Sequence, residues 1–282
     1  MNYRHIYHAG NFADVLKHAV LARLVVYMQQ KDKAFRVLDT HAGIGLYDLS
    51  SDEAQKTGEW LTGIGKLMEA DLPANVAPLL APYLDAVREL NPDGPITLYP
   101  GSPKLARMLF RPQDRLSAME LHPEDCRTLA RLFEGDYQVR ITELDGWLSL
   151  GAHLPPKEKR GIVLVDPPFE VENEYERMVE GLAKACRRFA TGTYCLWYPI
   201  KKGAPLAEFH AALKALDIPK MLCAELNVRS DREGGLSGSG LIIVNPPFTL
   251  KDEMHLMLPV LKQATAQDRY ASHRCFWLRG ED

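Results

Sequence analysis

The sequence predicts an α/β fold, a mostly parallel sheet wrapped by helices, with a small helical insert. Three observations predict it. Short apolar runs each end in an acid: Ala34-Phe-Arg-Val-Leu-Asp39, Arg115-Leu-Ser-Ala-Met-Glu120 and Gly161-Ile-Val-Leu-Val-Asp166. Runs of this kind read as strands buried on both faces, as in parallel sheets. Helical patterns alternate with them, as in βαβ units. The first run leads into a glycine-bearing turn, Thr40-His-Ala-Gly-Ile-Gly45, where nucleotide-binding sheets make their first βα turn.

Composition bounds the function. The 282 residues suit one large domain or one domain with an insert. No apolar run approaches the roughly 20 residues that span a bilayer. Asn2 to Asp14 is polar and His-rich, unlike a signal peptide or anchor. The cytoplasm is therefore the expected compartment, with no membrane partner. The five cysteines (Cys126, Cys186, Cys195, Cys223 and Cys275) are scattered and form no Cys-x-x-Cys pair. Neither a disulfide framework nor a metal is expected. A net charge of −3 argues against an indiscriminate polyanion binder but leaves room for a local basic face.

In chain order, Asn11 is a plausible N-cap for a helix from Phe12 to about Met28. Tyr3, Arg4, His5, Tyr7 and His8 precede it. They read as a frayed terminus, the default, or as an arm beside a polyanionic or aromatic ligand. After the glycine turn, position 48 is Asp48, so the third glycine of the dinucleotide fingerprint is missing and a nicotinamide enzyme is disfavoured. No strand follows where the ribose-binding acid belongs, about 20 residues on. Residues 47–95 instead read as an inserted helical subdomain, with amphipathic helices at Thr57–Ala70 and Ala77–Leu90, closed by the turn Asn91-Pro-Asp-Gly-Pro95. Residues 1–46 and 96–282 make up the main domain. Pro100-Gly-Ser-Pro103 feeds a helix at Lys104–Leu109, where Ser102 could equally serve as the cap. After the strand ending in Glu120 come a helix, Asp125–Phe133, a strand, Tyr137–Thr142, and Glu143-Leu-Asp145-Gly146. Further on, Glu174–Phe189 is helical and ends in Arg187 and Arg188. Gly192–Pro199 is a strand and Leu206–Leu216 an amphipathic helix. Met221–Val228 and the run from Leu241 are the last strands, flanking a glycine-rich loop, Ser230–Gly240, with Arg229 and Arg232. Met254–Ala264 closes the chain as a helix.

The chemistry concentrates at Asp166-Pro167-Pro168-Phe169. Two prolines end a central strand because neither donates an N–H. The bland reading stops there. The functional one is methyl transfer to an exocyclic amino group: a carboxylate and a stiffly held backbone carbonyl accept from the two N–H groups and leave the nitrogen lone pair free, while an aromatic ring stacks on an extruded base. The tetrapeptide resembles the (Asp/Asn/Ser)-Pro-Pro-aromatic motif of amino-methyltransferases that use S-adenosylmethionine. Asn245-Pro246-Pro247-Phe248 matches it too. Position favours Asp166, which follows the fourth strand beside the glycine turn, over Asn245 at the end of a late strand.

A wider resemblance runs nearly end to end. Its segments are Tyr3-Arg-His5, His8-Ala-Gly-Asn11, Asp14-Val-Leu-Lys-His18, Leu38-Asp-Thr-His-Ala-Gly43, Tyr99-Pro-Gly-Ser-Pro103, Glu120-Leu-His-Pro123, Asp145-Gly146, Asp166-Pro-Pro-Phe169 and Leu196-Trp-Tyr-Pro199. Together they resemble the bacterial 23S ribosomal RNA adenine-N6 methyltransferase J family. The resemblance implies a Rossmann-like S-adenosylmethionine-dependent methyltransferase with a small helical insert, acting on N6 of a single adenine in 23S rRNA by direct in-line transfer. It implies that His18, His41, Ser102, Glu120, Asp145, Gly146 and Asp166 contact the cofactor, with Lys17 nearby. Asp166, Pro167 and Phe169 would serve catalysis, and Tyr3 would meet the RNA. The family often has Tyr where Phe169 stands, which keeps stacking and loses a hydroxyl. Read without the resemblance, His18 and His41 are ordinary satisfied histidines. Arg187, Arg188, Arg229 and Arg232 are candidates for phosphate contact or plain solvated surface. The expected substrate is naked or partly assembled rRNA, and the expected state is a monomer. The rivals are a DNA adenine methyltransferase, a protein glutamine methyltransferase and a non-catalytic RNA-binding module.

Overall fold

The computed structural model describes residues 4–232 and 234–280; Tyr3 lies outside them. A single turn of 3₁₀ helix at His5–Tyr7 precedes α1 (Phe12–Gln29), which leads to β1 (Arg36–Asp39). A two-stranded ribbon of β2 (Leu46–Asp48) and β3 (Leu98–Pro100) brackets α2 (Asp52–Thr57), a π-helical turn (Leu61–Gly65), α3 (Lys66–Glu69) and α4 (Ala77–Leu90). The chain continues through α5 (Ser102–Leu109), β4 (Arg115–Glu120), α6 (Pro123–Leu132), β5 (Val139–Glu143), α7 (Gly146–Ala152) and β6 (Gly161–Val165). It ends with α8 (Glu174–Arg188), β7 (Thr193–Lys201), α9 (Leu206–Ala215), β8 (Met221–Asn227), β9 (Leu236–Val244), α10 (Leu250–Thr265) and β10 (Ser272–Arg279).

Eight strands form one sheet in the order β10-β8-β9-β7-β6-β1-β4-β5. From β7 to β5 the pairs are parallel, while β9 runs antiparallel to both β7 and β8, and β10 antiparallel to β8. This is an α/β, Rossmann-like sheet. The strand order reverses between β1 and β6, and open α/β sheets bind ligands outside the carboxyl ends at such a point. One core lies on the α1 side, where Leu16, Leu21, Leu80, Tyr83 and Leu258 are fully buried. The other lies beneath α8 and α9, around Met178, Leu196 and Leu213.

The helix Ala77–Leu90 and the strand Arg115–Glu120 match the sequence reading to the residue. The single helix expected over Thr57–Ala70 does not form. Gly58 caps α2 in the left-handed region at φ 60°, and Gly63, at φ −101° and ψ −108°, breaks the next turn. The loop expected over Ser230–Gly240 is shorter, because β9 begins at Leu236 and pairs with β7 and β8 through Gly238 and Gly240. The ribbon β2–β3, the helix α7 and the edge strand β10 are additions to the sequence reading.

The helices between β2 and β3 share the α1 core. Ile64, Leu67, Leu80 and Tyr83 pack in one cluster with Leu16 and Val20. The contact tightens where two glycines meet. Gly10 sits at φ +77°, and its carbonyl accepts from Ile64 N at 2.8 Å. A Cβ at Gly63 would lie 2.7 Å from the Asn11 Cα and closer still to the Gly10 oxygen. Backbone on both sides leaves nothing to yield. We expect Gly63→Ala to destabilise the protein by about 2 kcal/mol through overpacking, read as a lower urea midpoint. A wild-type midpoint would contradict this packing.

Candidate active site

At the carboxyl ends of the strands lies a cavity of about 890 Å³. It is lined by Lys17, His18, His41, Ser102, Glu120, Asp145, Gly146, Asp166, Pro167 and Phe169, residues from six separate stretches of chain. Tyr3, the remaining sequence-derived site residue, is outside the described residues.

The strand ends place the acids. Glu120 closes β4. Its Oε2 accepts from Gly43 N and its Oε1 from His122 N, both at 2.8 Å. Burial raises its pKa against those two N–H groups. Asp145 caps α7 by accepting from Trp147 N at 2.9 Å and lies 3.6 Å from Arg177. Gly146 must be small, since a Cβ there would sit 2.9 Å from His41 Nε2 and closer to the Thr40 carbonyl. The His41 ring is held between Thr40 Oγ1, 2.8 Å from Nδ1, and the edge of Trp147. Burial lowers its pKa to about 4. Ser102 does not cap its helix; Gly101 occupies that position, and Ser102 Oγ donates to Asp39 Oδ2 at 2.6 Å. Burial raises Asp39 to about 6, and its Oδ1 is buried without a partner.

Asp166 follows β6 and receives a hydrogen bond from Lys17 Nζ, which reaches across from α1. Lys17 also contacts Asp14 Oδ1 at 2.8 Å. Burial alone would lower the lysine's pKa, but Asp14 and then Asp166 outweigh it and hold the ammonium charged. Asp14 is likewise buried, yet His5, Lys17 and His18 hold its pKa well below the ordinary range. It accepts from Gly10 N and His5 Nε2, each at 2.9 Å. Sequence reading missed Asp14 as a site residue. Its signal was the spacing of Asp14, Lys17 and His18, which falls on one helix face. His18 lies at the base of the cavity, 1% exposed, with Nδ1 2.7 Å from Tyr99 Oη and its ring stacked on Tyr99. Burial drives its pKa to about 3.

Phe169 adopts φ +51°, a left-handed conformation costly for a bulky side chain. Its ring packs on Tyr175 and on the edge of Trp197, at 4.8 and 5.8 Å between centroids. The competing motif lies elsewhere. Because β9 is antiparallel to β7, Asn245 falls at the opposite edge of the sheet, donating to the Ala190 and Gly192 carbonyls, and Phe248 is 82% exposed. Arg187 and Arg188, at the far end of α8, also lie away from the cavity lining, whereas Arg229 lines it.

The arm is not frayed from residue 4 onward. Arg4 meets Asp125 at 3.3 Å, His5 holds Asp14, and His8 Nδ1 lies 3.0 Å from Glu59 on the helical segment. The His210, Cys223 and Glu225 side chains also cluster, but Glu225 there accepts from Tyr198 Oη at 2.7 Å and from Arg274.

A family model described as "Ribosomal RNA large subunit methyltransferase D, RlmJ" matches residues 32–279. The chain belongs to the ribosomal RNA large subunit methyltransferase J family. Among its relatives, the Escherichia coli protein of that name is 43% identical, with 93% of this chain and 92% of the relative covered. The Haemophilus influenzae protein is 40% identical over the whole of both chains. A crystal structure of a Legionella pneumophila protein shares the fold at TM-score 0.87 and 35% identity, covering 96% of this chain and 98% of that one. The family assignment makes the chain an rRNA methyltransferase and removes the non-catalytic reading.

Both buried histidines have folded pKa values below the ordinary 6.5. Their contribution to stability is complete above about pH 6.5 and is lost as pH falls towards 3 for His18 and 4 for His41, because the unfolded chain binds those protons first. His8 has the opposite sign: hydrogen bonding to Glu59 raises its pKa. We expect NMR titration to show His8 protonating above pH 6.5 while the His18 and His41 rings stay neutral at pH 5. Protonation of either buried ring near pH 6.5 would refute the burial argument.

Proposed function

We propose that this enzyme transfers a methyl group from S-adenosylmethionine to N6 of one adenine in 23S rRNA, by direct in-line attack without a covalent enzyme intermediate. The observation that carries the reading is the shared cavity: Asp166, Pro167 and Phe169 at the end of β6 open into the space lined by His41, Glu120 and Asp145.

The residues present suit the cofactor. Glu120 and Asp145 close adjacent strands and can accept from ribose hydroxyls and an adenine amine. The glycine turn carries Gly43 and Gly45 at positive φ, and Gly146 lies against His41, so backbone comes close without a phosphate nest. When bound, S-adenosylmethionine supplies an electrophilic methyl group on a sulfonium that is already a good leaving group. Positioning then carries most of the catalysis. Lys17 engages Asp166 Oδ2, which fixes the carboxylate and leaves Oδ1 to accept from the target N6–H. The Pro167 carbonyl accepts from the second N–H. Asp166 holds the amine without needing to deprotonate it before attack; as the N–C bond forms the S–C bond breaks, the sulfur leaves as a neutral thioether, and the methylated nitrogen then loses its extra proton to Asp166 or water. Phe169 offers a ring face to the extruded base. His18 and His41, kept neutral by burial, add no positive charge beside the sulfonium.

Family membership favours rRNA over DNA or a protein amide. The arm joined to a one-sheet body, without an appended RNA-binding module among the described residues, suits naked or partly assembled RNA. We read the enzyme as a cytoplasmic monomer. No helix of the described residues is long and apolar enough to cross a membrane.

Asp166→Ala tests the assignment. Lys17 keeps Asp14 as its partner in this variant, so the fold should survive. We expect calorimetry to show S-adenosylmethionine binding and a labelled-methyl assay on 23S rRNA to lose at least about 10³-fold in rate, the scale of losing a transition-state contact. Retained turnover would reject the role.

A further inference from the structure

The cavity does not stop at Asp166. It continues past Trp197 along the carboxyl ends of β7 and β8, where Lys201, Arg229 and Gln267 line it. Trp197 is fixed on this wall: its Nε1 donates to Ser239 Oγ at 2.8 Å, and its ring meets Phe169 edge-on. Beyond it, the β8–β9 turn is bound to the segment after α10. Gln267 N and Asp268 N donate to the Val228 carbonyl at 2.8 and 3.3 Å. Asp268 accepts from Ser230 N through Oδ2 at 2.9 Å and from Tyr270 N through Oδ1 at 2.7 Å. Asp268 is therefore engaged with backbone and holds the turn in place; Asp231, exposed on the turn, is the other acid there among the described residues.

The cations face outward or into the cavity. Arg229 is aimed by its Nη2, which donates to the Gly234 and Leu236 carbonyls at 2.6 and 3.2 Å. Lys201 stands exposed where β7 ends. Tyr270 is 47% exposed, with the Arg232 and Arg269 guanidinium carbons 5.5 and 5.0 Å from its ring centroid. An exposed ring with two guanidinium groups close by, one of them donating to its hydroxyl at 2.8 Å, next to a groove carrying two more cations, matches the chemistry that holds single-stranded nucleic acid: stacking on a π face and cations along the backbone.

We propose that this margin is the track for the single-stranded nucleotides on one side of the target adenine. Arg229 and Lys201 take the phosphate next to the target, and Tyr270 stacks a base beyond it. Trp197 separates the base slot from the track. This rests on the reading of the chain as an RNA adenine methyltransferase and adds the path of the strand to it. It also selects Arg229 and Arg232 from the four arginines that the sequence offered for phosphate contact, because Arg187 and Arg188 lie at the opposite edge.

The test uses the full chain and 23S rRNA fragments that carry the target adenine, ending one nucleotide beyond it or extended by three nucleotides on either side. For the wild-type enzyme we expect extension on one side to lower KM about tenfold, the scale of one stacked base. Tyr270→Ala should raise KM on that extended RNA about tenfold with kcat changed less than twofold. Lys201→Gln should flatten the dependence of log(kcat/KM) on log salt by about 0.7, the contribution of one phosphate on a single strand. Arg187→Gln, at the other edge, should keep the wild-type KM and salt slope. If extension has no effect, or if Tyr270→Ala and Lys201→Gln keep wild-type KM and slope while turnover is intact, the track is overturned and the methyltransferase reading stands. A wild-type enzyme that methylates none of the fragments or intact 23S rRNA overturns both.

Discussion

A buried ammonium group is tolerable only between carboxylates, and Lys17 has two of them, on different parts of the chain. Asp14 lies one turn back on the same helix, and Asp166 lies at the end of β6. Taking both away would strand the ammonium in a low-dielectric site, whereas either one alone still balances its charge. The pair therefore ties α1 to the carboxyl edge of the sheet. Asp14 extends the tie to the arm through His5 and Gly10, and Glu59 extends it to the helical segment through His8 and Asn11. Arm, segment and strand end thus share one electrostatic anchor, and the cavity between them takes its shape from it.

That anchor separates two copies of nearly the same tetrapeptide. Asp166-Pro-Pro-Phe169 and Asn245-Pro-Pro-Phe248 both end buried strands. Only the first emerges at the edge where strand order reverses, and only there does a lysine meet the acid. Asn245 instead ties its own turn to the Ala190 and Gly192 carbonyls. Phe169 is held at positive φ by Tyr175 and Trp197, a strain that its surroundings must compensate. The exposed ring of Phe248 meets only the edge of Tyr27 among the described aromatic contacts. Chemistry here belongs to the strand direction as much as to the residues.

The parts of this arrangement that depend on local pattern were legible in the sequence. Buried parallel strands announce themselves as apolar runs, and an acid at each end marks the edge that faces ligand. Hence Asp39, Glu120 and Asp166 could be placed before any coordinates. The parts that depend on distant partners were hidden. Nothing within Thr57–Ala70 says that Gly63 must admit the Gly10 backbone, so the amphipathic pattern there suggests one helix where three pieces form. Strand β10 holds only a short apolar run, Cys275 to Leu278, between polar and charged residues, as suits an edge strand paired on one side only. Asp14 carried no site role in the sequence, because its contacts with His5 and Gly10 and the link from Lys17 to Asp166 form only in the fold. Ser102 looked like a cap because the acceptor that its hydroxyl finds instead, Asp39, lies 63 residues away in sequence.

Charge along the cavity resolves the mild acidity of the whole chain. At the β4 and β5 end stand Glu120 and Asp145, with Arg177 3.6 Å from Asp145 and His41 held neutral by burial; Glu120, held by backbone N–H groups, is the carboxylate there that suits a cationic donor. At the β7 and β8 end stand Lys201 and Arg229, which suit a polyanion. Lys17 sits between the two ends, and its charge is matched by Asp14 and Asp166, so it adds little net field to either. A uniformly basic cavity would attract RNA but repel a sulfonium, and a uniformly acidic one would do the reverse. A graded distribution of charge along the cavity would suit both reactants of the proposed reaction, and it requires no excess of basic residues overall. A net charge of −3 is therefore compatible with an enzyme whose substrate is a polyanion.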